Sequence, residues 1–89
     1  MIRSKVRFTG RVQGVGFRAT TRHVAAGFQV TGWVRNEPDG SVLLEAQGTE
    51  DQVRAFLQEL RTRMTRCIES EDASTAPHLP VEHGFVIRH

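Results

Sequence analysis

Between residues 2 and 12 apolar and polar side chains alternate. Ile2, Val6, Phe8 and Val12 fall on one side, and Arg3, Lys5, Arg7, Thr9 and Arg11 on the other. Period-two alternation marks a strand with one face in a core and one in water. A sheet begun this way needs cover on one side, and the rest of the chain must supply it.

Two helix-length patterns do so. Phe17, Thr21, Val24 and Ala25 form a stripe over residues 17–26, with Gly27 where a stop is expected. Thr21 is a polar interruption of that stripe. The second pattern is stronger: Val53, Phe56, Leu57, Leu60 and Met64 keep one buried face. Thr49 and Gln52 have capping-box spacing ahead of it, and Glu50 and Asp51 suit the positive helix end.

Between the helices, Val30, Gly32 and Val34 alternate with Thr31, Trp33 and Arg35. Glu37-Pro38-Asp39-Gly40 is a turn, because proline presets φ and glycine accepts a positive one. Val42, Leu44 and Ala46 then complete a hairpin over residues 29–47. A fourth strand is expected at 66–71, a proline-bearing loop at 72–82, and a short last strand at Phe85 and Ile87. The order is βαββαβ plus one C-terminal strand. The predicted fold class is α+β: a ferredoxin-like sandwich, two helices on one face of a mainly antiparallel sheet.

The 89 residues allow one domain, residues 1–89, that buries about 60–65% of its unfolded surface. The longest aliphatic run is Val42-Leu43-Leu44, too short for a membrane helix. The N-terminus lacks the apolar stretch of a secretory signal. The single cysteine, Cys67, excludes an internal disulfide or a cysteine-ligated metal cluster, and is expected to be a small buried residue of the fourth strand. A cytoplasmic setting and a monomer are expected. Twelve basic residues against ten acidic ones give +2, spread along the chain as solvated faces. No nucleic-acid partner is expected: there is no basic patch and no tyrosine, Phe8 belongs to the core, and only Trp33 is left to stack on bases.

Two segments carry chemistry. Gly10-Arg11-Val12-Gln13-Gly14-Val15-Gly16-Phe17-Arg18 joins a strand to a helix. Its glycines permit positive φ and close approach to N–H groups. The first amides of a helix lack internal partners and favour an anion. Arg18 adds a guanidinium suited to phosphate. The residues alone fit a phosphate nest or a tight turn with a surface arginine. A dinucleotide fingerprint fits Gly14 to Ala19 in spacing only, since a hairpin follows instead of a parallel strand. In the second segment, Gly32-Trp33-Val34-Arg35-Asn36, the amide of Asn36 can both donate and accept, and so orient a water. Asparagine also simply favours turns.

Taken together, these segments resemble the acylphosphatase family. Residues 10–18 are similar to its phosphate-loop motif, G-x-V-Q-G-V-x-F-R. Gly32 to Asn36, followed by Gly40, Val42 and Gly48, resembles its second signature, and Gly84-Phe85-Val86-Ile87-Arg88 its usual ending. The likeness runs along residues 4–60 and is loose over 65–83. It implies a metal-free, cofactor-free enzyme hydrolysing small-molecule acyl phosphates to carboxylate and phosphate. It also implies that phosphate and other anions are ligands. By the resemblance, Arg18 and the amides of Gln13, Gly14, Val15, Gly16, Phe17 and Arg18 hold the phosphoryl group. Asn36 orients the attacking water. A non-catalytic module that binds phosphate or carbamoyl phosphate is the alternative. The close of the chain just after its last strand suits a free-standing enzyme. No catalytic or metal role is expected for His23, His78, His83 or His89.

Overall fold

The alternating stretch that opens the chain is a strand of nine residues. In the computed structural model, which describes all 89 residues, the elements are β1 (Ile2–Gly10), α1 (Phe17–Ala25), β2 (Thr31–Asn36), β3 (Val42–Gly48), α2 (Glu50–Arg63), β4 (Ile68–Thr75) and β5 (Phe85–Arg88). They form one five-stranded sheet in the order β4-β1-β3-β2-β5. All pairings are antiparallel except β2 with β5, which is parallel. This is the expected ferredoxin-like sandwich with a short added strand at one edge.

One face of the sheet carries Val6, Phe8, Val34, Val42, Leu44 and Ala46, all buried. Helix α1 packs over β2 and β5, and α2 over β3 and β1. Sixteen buried residues make one core cluster. Phe56 is its aromatic hinge, with ring centroids 5.4 Å from Phe85 and 6.4 Å from Phe28.

Several local expectations change on contact with the structure. Thr21 is fully buried, and its hydroxyl donates to the Phe17 carbonyl at 2.8 Å. A buried hydroxyl satisfied within its own helix costs little. Helix α1 does not stop on a left-handed glycine: Gly27 lacks a positive φ, and the chain unwinds through bonds from Gly27 N–H to Val24 and from Phe28 N–H to Ala25. The capping box is half made. Thr49 accepts from the Gln52 amide at 3.3 Å, but the Gln52 side chain accepts from the Gln29 amide instead, at 2.8 Å. It ties the start of α2 to the entry of β2.

Strand β4 begins and ends later than expected and takes four residues from the anticipated loop. Ala73, Ser74 and Thr75 pair with Val6, Lys5 and Ser4. An exposed edge strand needs only backbone partners, so its polar sequence carries no alternation to read. Cys67 lies one residue before β4 and is half-buried, its carbonyl taking the Arg11 amide at 2.9 Å.

The helix-free face is the largest departure. Arg3 was expected in water, but it is 3% exposed. It bonds Glu45 at 2.5 Å and grips both oxygens of Glu82, at 2.8 and 3.1 Å. The segment 76–84 crosses this face from the β4 edge to the β5 edge. It is held by Ala76 N–H on Arg3 O, by a two-way bond between Gln47 and Leu79, by Thr31 on Glu82, and by Gly32 N–H on Gly84 O. Trp33 lies on this face as expected, yet it is buried, with the guanidiniums of Arg35 and Arg88 at 4.8 and 4.9 Å from its ring centre.

Candidate active site

At one end of the sheet, β1 finishes, β2 finishes and α1 begins. Between Gly10 and Phe17 the chain makes a tight loop in which Gly14 and Gly16 have φ of 75° and 79°. A Cβ at either would meet nothing within 4 Å, so the glycines answer to backbone conformation and leave the space above them open. Gly16 is the N-cap of α1. It offers no capping side chain, and no acidic residue stands in the first turn.

The amides here are unspent. The first helical bond runs from Thr20 N–H to Gly16 O, so the helix provides no acceptor for Phe17, Arg18 or Ala19. Residues 12–16 donate no backbone hydrogen bond either. A row of unpaired donors at the positive end of a helix suits an anion.

Arg18 and Asn36 meet across a cleft of about 340 Å³, which Gly14, Gly16 and Phe17 also line. No Asp or Glu lines it. Asn36 arrives there as the last residue of β2, paired with Val42 at the start of β3. The turn between them is braced. Ser41 donates its amide and hydroxyl to Asp39, and these bonds, the hydroxyl's first, hold the Asp39 carboxyl below its usual range.

Gln13 and Val15 are not part of the cleft lining. The Gln13 side chain donates to the carbonyls of Glu37 and Ser41, at 2.8 and 2.9 Å, and so pins the glycine loop to the turn after Asn36. Val15 is 40% exposed.

Five further residues line the cleft outside the expected site set: Val12, Ala19, Arg22, Ile87 and His89. Arg22 lies one helical turn beyond Arg18, a spacing that was readable. His89 was set aside because no local pattern marks it. Strand β5 runs parallel to β2, with Arg88 opposite Arg35, so the following residue comes out beside Asn36. The His89 Nδ1 is 3.4 Å from an Arg18 Nη. No group of three or more His, Cys, Asp or Glu side chains is placed to hold a metal ion.

Residues 4–87 match the family model described as acylphosphatase. The chain belongs to the acylphosphatase family. It is 44% identical over 87 residues to an acylphosphatase of Salinibacter ruber, covering 97% of this chain and 92% of that one. An acylphosphatase of Oceanobacillus iheyensis is 50% identical over 68 residues, 76% of this chain and 75% of its own. The crystal structure of an acylphosphatase from Bacillus subtilis superposes over the full length of both chains with a TM-score of 0.87 at 28% identity.

Proposed function

We propose that this acylphosphatase-family enzyme hydrolyses carboxyl-phosphate mixed anhydrides to a carboxylate and inorganic phosphate. The observation that carries the reading is the meeting of unspent loop amides, Arg18 and Asn36 in one cleft lined by no Asp or Glu. The phosphoryl oxygens sit against the amides of the loop and the first helical turn, and Arg18 grips them through its fork of donors. Asn36 accepts from a water and holds it in line with the phosphorus. Gln13 acts as a positioning residue, fixing the loop relative to the Asn36 turn.

The economy of groups follows from the leaving group. A carboxylate, whose acid has a pKa of about 4, departs without a proton donor. Phosphoryl transfer then rests on positioning and charge stabilisation, and each well-aimed donor contributes about 3–4 kcal/mol. The substrate's own phosphate oxygen takes the proton from the water. We place the enzyme in the cytoplasm as a monomer, on the expectation from its single free cysteine.

Hydrolysis of acetyl phosphate in the presence of chelator tests this. Arg18→Ala is expected to raise KM and lower kcat, for a loss of about 10²–10³ in kcat/KM. Asn36→Ala is expected to lower mainly kcat. Chelator should change neither. Tight phosphate binding by an inactive wild type would instead favour a non-catalytic module holding phosphate or carbamoyl phosphate. A pH–rate profile whose essential group disappears in His89→Gln would hand the proton to His89 rather than to the substrate.

A further inference from the structure

Beside Arg18 the cleft holds a second guanidinium, that of Arg22, which the phosphoryl-binding loop does not include. Six of the twelve basic residues have a carboxylate within 4 Å: Arg3, Arg7, Arg35, Arg54, Arg61 and Arg63. Arg18 and Arg22 have none, and both line the cleft, where no Asp or Glu is present. Four residues at 1.5 Å of rise set them about 6 Å apart along the axis of α1. Arg18 sits in the first turn beside the loop amides. Arg22 lines the cleft one turn further from the loop amides than Arg18, within reach of an acyl group that extends along α1. Phe17, Ala19 and Ile87 supply the nonpolar part of the wall.

This arrangement matches an acyl phosphate with a second negative charge at the far end of a short carbon chain. We propose that Arg22 is the specificity residue of this site, pairing with a distal carboxylate or phosphate on the acyl group. Acyl phosphates with an anionic tail are then favoured over those with a neutral tail. The proposal rests on the hydrolytic reading above and adds the substrate class to it. Arg22 is exposed, so the pairing is modest and salt-sensitive.

The test compares kcat/KM for succinyl phosphate and butyryl phosphate, which differ mainly in the charge of the tail, for wild type, Arg22→Gln, Arg22→Glu and the distant control Arg54→Gln. The ratio of the two values is the readout, because a general loss of fold or chemistry cancels from it. At low ionic strength, Arg22→Gln should cut the succinyl-to-butyryl ratio about threefold to fivefold. Arg22→Glu should cut it further, and Arg54→Gln should leave it in place. Added salt should shrink the wild-type ratio towards that of Arg22→Gln. Equal ratios in wild type and Arg22→Gln, with both substrates turned over, would overturn the role of Arg22 alone. Failure of wild type to hydrolyse either substrate would overturn the hydrolytic reading and this proposal with it.

Discussion

The two faces of the sheet are closed in opposite ways. Under the helices, Val6, Phe8, Leu44, Phe56 and Leu60 exclude water by packing alone. On the other face, Arg3, Glu45, Glu82, Thr31 and Gln47 are joined by hydrogen bonds under an irregular segment, and Trp33 is flanked by two arginines. A chain of this length has two helices and one good core to spend them on. The second face is closed by ion pairs and a strap, whose strength depends on every charge having its partner. The strap has a second effect. It carries the chain from one edge of the sheet to the other, so that β5 runs back towards the cleft and delivers Ile87 and His89.

Each face can be opened by a single substitution. Phe56→Ala removes the aromatic hinge of the core and should cost about 3–5 kcal/mol in denaturant unfolding. Loss of protection should then be global across both faces. Arg3→Ala should cost about 3 kcal/mol, because it leaves Glu45 and Glu82 facing each other without a cation. Its signature should be local: hydrogen exchange rises first at Leu79 and Gly32, while amides of α2 stay protected. If the two variants lose protection in the same pattern, the faces are not separable units.

The smallest effect concerns pH. Burial pushes the Glu82 carboxyl up, but bonds from Arg3 and Thr31 outweigh it and hold the carboxyl below its ordinary value. A depressed carboxylate stabilises the fold above its unfolded pKa of about 4.3 and loses that contribution as pH falls through the lower, folded value. Glu82→Gln should therefore cost about 2 kcal/mol at pH 7. The difference from wild type should narrow as the pH is taken below about 4. A gap in urea midpoint that stays constant down to pH 3 would contradict the pairing.

Much of the site was legible because its demands are local. The glycine loop, Arg18 and Asn36 stand in short segments whose backbone needs and side-chain chemistry can be read in place. The order of elements was legible for the same reason, from periods of two and 3.6 residues. The extent of β4 was not, since an edge strand satisfied by backbone pairing leaves no apolar pattern. Thr21 read as a defect because its hydroxyl partner is a backbone carbonyl, invisible to a hydropathy argument.

The elements, the core face and the glycine loop are written in the sequence, because each depends on neighbours within a few residues. The burial of Arg3, the brace of Gln13 on the Asn36 turn, and the cleft that Arg22 and His89 share with Arg18 arise only when the chain is folded. Most of those placements come from pairings between residues far apart in the chain. Arg3 meets Glu82 across 79 positions, and Arg18 meets His89 across 71. A charge on a strand reads as solvated until its distant partner and the segment that covers it are in place.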